Sequence, residues 1–521
     1  MTRQPVREAR TARPPAVREG LMVAMRLRNA RMLDLTRGVA GRPHDIVVSG
    51  SRLHRSEVTT TGAGDDGAEI DLQGRWVMPG LWDAHVHVDL WAMACRWPDA
   101  GTADSAAELC AQLGGIDAQD PGAEPIVAMG AQHWRWPDEL DGAMLDAISL
   151  TRPVVVVAAN LHTAWANRAA RRHWEMDREE FADGILREKD AFMLEDRFSV
   201  VDEALLDGWV ARAQEQAAAR GIVGVTDMQH GAGRVRTWRR RAARPDQLLR
   251  VVIACWADSL DEAIESGMRT DHPIDEAGWL RGGPLKIISD GSFTAQTAWC
   301  THPYGDPGRG PGPYGAPSIT HEELATLMSR GELHGLQTAV HAIGDRAIGM
   351  ALDCFAETGA TGSIEHAAAP SASDISRMAE LGLHASVQPV HMLADRELVE
   401  ERWPAGTERF FPLRSMLDCG VPLVFGTDAP VVPVDPWLTI QTAVLRALPG
   451  QEAWHRREAL SIAQALRAST GRIGTLVPGG HADLIVLDEN PLETAPERLA
   501  RTEVFLTMSN GRLTWWADAA V

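Results

Sequence analysis

Apolar and polar residues alternate at period two through MRLRNARMLD and HDIVVSGSRLH (25–54) and again through GGHADLIVLDENPL and TEVFLTMSNGRLTW (479–515). That period predicts half-buried strands, and their position at opposite ends of the chain predicts one small β-sandwich assembled from both termini. Between them the texture changes. Short apolar runs alternate with helical patterns such as HEELATLMSRGELHG and SASDISRMAELG. The runs are PIVAMG (125–130), PVVVVAAN (153–160), GIVGVTDM (221–228), RVVIACW (250–256), PLKIIS (284–289), LQTAVHAIG (336–344), GSIEHA (362–367), LHASVQPV (383–390) and VPLVFGTDAP (421–430). Together with 80–88 they make ten candidate strands.

Strand–helix alternation on this scale predicts an α/β fold with parallel strands, and the length suits a (β/α)8 TIM-like barrel. Ten candidates for about eight places assign at least one strand to an inserted segment, within about 97–200. The expected organisation is an arm (1–21), a small β-sandwich domain (22–78 with 470–521) and a barrel (79–469).

Composition narrows the function classes. The chain has 521 residues and a net charge of −20, which argues against a nucleic-acid partner. No apolar run is long enough to span a bilayer, so no membrane partner is expected. Cys95, Cys110, Cys255, Cys300, Cys354 and Cys419 form no CxxC pair and read as reduced thiols, which points to the cytoplasm. Residues 1–21 are Arg- and Pro-rich and carry no apolar core of a secretory signal; they read as a disordered, dispensable arm. Of the 51 basic residues only Lys189 and Lys286 are lysines. Lysine retained in so arginine-rich a chain points to chemistry at a deprotonatable amine.

The strongest chemical signal is His85-Val86-His87 at the end of an apolar strand. Alternation puts both imidazoles on one face, and in a barrel that face lies at the C-terminal mouth. His341 ends LQTAV, His366 ends GSIE, Asp428 ends VPLVFGT and Lys286 follows GGPL. Each belongs to a different expected strand, so a barrel brings them to one place. Four histidines, a lysine and an aspartate make a metal-binding constellation, and imidazole suits zinc. The acidic group, Asp428, is a ligand and a candidate base. His162, after the apolar run 153–160, donates to a substrate carbonyl or caps the following helix. Asp290 and Asp345 orient ligands or cap helices. Glu188 lines the pocket through an insertion loop or, the preferred reading, belongs to a solvated helix face, and His133, His173, His302, His391 and His455 read as surface or loop residues.

Taken in order, MPGLWDAHVH, LKIISDGS, HAIGDRA, IEHA, FGTDAP and PGGHADLIVLD resemble the amidohydrolase superfamily, specifically its amidohydrolase-3 or YtcJ-like branch, which N-substituted formamide deformylase resembles too. The resemblance spans roughly residues 25–515 and includes RPVVVVAANLHTAWAN, GIVGVTD and ASVQP. It implies a barrel flanked by a small β-sandwich and hydrolysis of a C–N bond at a metal centre of one or two zinc ions. By that resemblance His85 and His87 hold the more buried metal with Asp428. His341 and His366 hold a second, and Lys286, carboxylated to a carbamate, bridges the two. Asp428 is then the base that relays a proton to the leaving nitrogen. Gln296 stands where the family commonly has arginine.

The expected substrate is a small molecule with an amide or N-formyl bond. Deamination, cyclic-amidine hydrolysis and a decarboxylase or lyase reaction on the same scaffold are the alternatives. Trp91, Trp134, Trp136, Trp165 and Trp299, with Gln296, are the candidate substrate contacts, and at least two tryptophans are expected to reach the pocket and favour an apolar or aromatic group. A homodimer is left open.

Overall fold

The computed structural model describes residues 25–54, 68–119, 122, 124–305, 312–403, 406–448 and 450–517, so the arm expected at 1–21 lies outside the described residues. Its centre is built by eight strands: β1 (Leu81–Val86), β2 (Ile222–Asp227), β3 (Arg250–Trp256), β4 (Leu280–Ile288), β5 (Thr338–Ala342), β6 (Gly362–His366), β7 (His384–Val387) and β8 (Leu423–Phe425). They pair side by side in chain order, every neighbour parallel. The two ends of this order meet. Val86 bridges Ala429, the Asp428 N–H donates to the His85 carbonyl at 2.6 Å, and the His87 N–H donates to the Ala429 carbonyl at 2.9 Å.

This is the α/β barrel that the alternation predicts. Every residue of β5 and β6 is buried, the polar Glu365, His341 and His366 among them. The outer helices begin at reciprocal caps. Thr320 and Glu323 start His321–Leu333, and Ser371 and Asp374 start Ala372–Glu380. Leu324 and Met328 of the first and Ile375 and Met378 of the second are buried in the large core around the barrel. Close packing fixes one glycine: a Cβ on Gly224 would lie 2.1 Å from the Trp82 ring, whose Nε1 donates to Thr226 at 3.1 Å.

Between β1 and β2 the chain forms a separate four-stranded sheet, ordered Ile185–Arg187, Thr163–Ala166, Val154–Ala158, Ile126–Ala131. Two of the ten apolar runs, 125–130 and 153–160, lie here, and the other eight supply the barrel. The chain ends make a nine-stranded sheet in which Trp76–Pro79 pairs antiparallel with Leu484–Leu487. Leu27, Ile46 and Ile70 from the early strands share a core with Leu484, Leu506 and Met508 from the late ones. Trp76–Pro79 leads through Gly80 directly into β1, so the terminal sheet and the metal-facing strand are one continuous piece of chain. Among the described residues no helix is long and apolar enough to cross a membrane.

Candidate metal centre

The six expected donors come from five different barrel strands or the residues just beyond them. His85 lies in β1 and His87 just after it, Lys286 in β4, His341 in β5, His366 at the last position of β6, and Asp428 three residues past β8. One ligand atom each from His85, His366 and Asp428 falls within 4.8 Å of the others, a spacing that a single cation can bridge. Asp428 Oδ1 is 3.2 Å from His87 Nε2 and 3.5 Å from His85 Nε2. Lys286 Nζ is 3.3 Å from His85 Nε2. The His341 ring stands edge-on to His366 with centroids 4.5 Å apart. His366 and Asp428 hold φ values of 68° and 57°, so two non-glycine residues occupy the left-handed region where they face the cluster.

The donor set fits a metal. Nδ1 of His85 is committed to Glu365 at 2.6 Å, which leaves Nε2 free to face the cluster. Nδ1 of His366 is buried with no hydrogen-bond partner, as a ligand atom awaiting a cation would be. Burial depresses the imidazoles of His341 and His366 well below their usual range, keeping them neutral, as metal ligation requires. Burial also lowers the Lys286 ammonium, against the pull of Glu365 and Asp428. Burial alone would raise Asp428, yet the imidazoles of His85, His366 and His87 outweigh it and hold this carboxyl well below the ordinary carboxylate range.

Behind the cluster the inserted sheet contributes a dyad. His162 Nδ1 donates to Glu188 at 2.7 Å, and its ring centroid is 6.1 Å from that of His341. Burial would lower His162, but the Glu188 carboxylate more than compensates and raises it. The loop after β4 holds this dyad in place. Asn160 donates to Thr294 at 2.5 Å, and a Cβ on Gly291 would come within 2.9 Å of Glu188 Oε1. Asp290 accepts the N–H groups of Trp299, Ile343 and Gly344, so it braces the β4 and β5 loops beside His341.

All six donors and His162 line one cavity of about 710 Å³ at the C-terminal mouth of the barrel. The amidohydrolase-3 model, described as the amidohydrolase family, matches residues 68–515. The chain belongs to the amidohydrolase family.

Similar proteins cover nearly the whole of this amidohydrolase. It is 27% identical to Protein LONG AFTER FAR-RED 3 of Arabidopsis thaliana over 82% of this chain and 80% of the relative. It is 25% identical to N-substituted formamide deformylase of Arthrobacter pascens over 94% of this chain and 97% of the relative. Among solved structures, an uncharacterized metal-dependent hydrolase from Pyrococcus horikoshii OT3 superposes with a TM-score of 0.77 at 26% identity, covering 91% of this chain and 99% of that one.

The structure corrects several readings of the amidohydrolase sequence. Of the candidate substrate contacts only Trp134 lines the cavity. Trp91 is packed in the barrel core, and Trp165 in the core of the inserted sheet. Trp136 turns its Nε1 to the Ala103 carbonyl, and Trp299 packs against the barrel core beneath Arg346. Gln296 is 1% exposed, outside the cavity lining, with neither amide atom bonded. The indoles that do reach the cavity besides Trp134 are Trp256 and Trp454.

His391 is no surface residue: it lines the cavity, stacks 6.1 Å from His366 and places Nε2 3.9 Å from Asp428. The sequence signal was available, since His391 follows the apolar run of β7 as His341 and Asp428 follow theirs. Glu188 is the partner of His162 rather than part of a solvated face. Glu365 was missed as well; it precedes His366 in the same strand and carries the bond to His85.

Proposed function

We propose that this amidohydrolase is a zinc-dependent enzyme that cleaves an amide or N-formyl C–N bond in a small molecule bearing an apolar or aromatic group. The observation that carries this reading is a cavity with all six donors on its floor and Leu90, Met129, Leu161, Phe192, Phe293 and Trp256 among its walls. His85, His87 and Asp428 would hold one metal and His341 and His366 a second, and Lys286, if its buried amine adds CO2 to give a carbamate with release of one proton, would be a ligand to both. Bound zinc would supply Lewis acidity toward the carbonyl and lower the pKa of water. Asp428, held ionised, takes the proton of the attacking water and hands it to the leaving nitrogen. His162, oriented by Glu188, donates to the substrate carbonyl oxygen.

The test combines metal analysis by mass spectrometry with turnover on N-formyl, N-acyl and cyclic amide panels, before and after chelation. About two zinc ions per chain, and hydrolysis lost on chelation and restored by zinc, are expected. Hydrolysis indifferent to chelation, or turnover confined to deamination, overturns the reading.

A further inference from the structure

One wall of the cavity carries charge that the hydrolytic centre does not use. It is made by the inserted helix Lys189–Phe198, the loop after β2 and the end of β3, which contribute Phe192, Glu195, Asp196, His230 and Trp256 to the lining. His230 is held between Asp196 at 3.1 Å and Asp258 at 2.7 Å, and its ring meets Trp256 edge-on at 4.7 Å. Those two carboxylates already exceed the one imidazolium charge. Glu195 adds a third acidic side chain. It is 9% exposed, faces the cavity, and among the described residues has no hydrogen bond or ion pair from its carboxylate.

A carboxylate in that position is costly unless a cation joins it. Burial, reinforced by Asp196 and opposed by His230 and His162, lifts Glu195 to about 8, so near neutral pH it holds a proton that a bound cation would displace. The cations in the lining are engaged elsewhere. Arg396 bonds Glu400, Arg135 bonds Gln132, Arg446 is spent on the carbonyls of Phe410, Phe411 and Trp454, and Lys286 belongs to the metal cluster. Among the described residues no cation of the lining is left to pair with Glu195, so a cationic ligand would find this carboxyl free to ionise against it. An ammonium group seated here would pair with Glu195 in a cavity that Phe192 and Trp256 also line, and aromatic faces suit a cation.

Building on the hydrolase reading, we propose that Glu195 and the aromatic wall around it form a cation-binding subsite, so that the preferred substrates are amides or N-formyl compounds whose apolar part carries a basic, protonated nitrogen.

The test is binding rather than turnover. Calorimetry on the metal-loaded enzyme would compare benzyltrimethylammonium, whose quaternary nitrogen cannot ligate a metal, with neutral benzyl alcohol. The cation should bind about tenfold tighter, the size expected of one charge contact in a desolvated aromatic site. Glu195→Gln should erase that advantage and leave benzyl alcohol unchanged. Equal binding of the two probes by the wild-type enzyme overturns the subsite without relying on any variant, as does a Glu195→Gln protein that keeps the preference. If the cation binds as expected but no cationic amide is hydrolysed, the C–N hydrolase reading fails and the subsite stands.

Discussion

Glu365 accepts a 2.6 Å hydrogen bond from His85 Nδ1, and both side chains are almost wholly shielded from solvent. The other Glu365 oxygen takes the Ser363 hydroxyl at 2.5 Å. Burial opposes ionisation here, but His85, Lys286 and Ser363 hold the Glu365 carboxyl down at about 2. The consequence is a fixed ring with a fixed tautomer, its Nε2 directed at Asp428 and Lys286.

Removing that anchor should loosen the metal. Glu365→Ala is expected to weaken zinc affinity by about 10–100-fold, the usual cost of losing an outer partner of a ligating histidine. Glu365→Gln, which can still accept from Nδ1, should lose less. Competition against a fluorescent chelator reads both, and unchanged affinity in the alanine variant would make the contact merely structural.

Lys286 tests the bridge. Lys286→Arg keeps a cation but cannot add CO2, so metal content and turnover should both collapse while circular dichroism stays native. Bicarbonate should speed reconstitution of the stripped wild-type enzyme and have no effect on the variant. Full metal content in Lys286→Arg would remove the carbamate from the mechanism.

His230 predicts a pH-dependent stability. Its bonds to Asp196 and Asp258 raise its pKa from the ordinary 6.5 to about 10, against the effect of burial. A group whose pKa is raised on folding stabilises fully below its unfolded value, and that contribution fades as pH climbs through the folded value. His230→Gln should therefore lower Tm by a few degrees at pH near 6, with the gap shrinking across the window from about 6.5 to about 10. A Tm gap that stays constant over this range would show that the ion pairs contribute nothing.

The tryptophans separate specificity from packing. Trp134→Ala should shift the ratio of kcat/KM for aryl over small-alkyl substrates, because Trp134 lines the cavity. Trp91→Ala should leave that ratio alone and cost about 3–5 kcal/mol of stability, since it hollows the core. The reverse pattern would move the substrate to another face.

Strand-end position made much of the centre readable. His85, His341, His366 and Asp428 each close an apolar run, and a barrel has one mouth to which such residues converge. What could not be read was facing. Trp91 follows His87 by four residues, but it sits on a helix whose turn carries its ring into the core. Trp165 lies on a strand of the inserted sheet, where alternation sends its ring away from His162. Glu188 looked solvent-facing because its neighbours are polar, yet its φ of 49° turns it back toward His162 at the start of a helix. For Glu188 that facing is set by its tertiary contact with His162 and leaves no period in the sequence.

The barrel seam has a consequence for how the enzyme is made. His85 and Asp428 flank the junction of the first and last strands, and the neighbouring Asp83–Thr427 bond spans 344 positions of sequence. A ribosome that has released β1 through β7 has produced a nearly complete wall with one donor, Asp428, still untranslated. A metal held by His85 and Asp428 together would therefore report that β8 has docked. Chains cut short before Asp428 should retain less metal than the full chain, which would make metal retention a report on barrel closure.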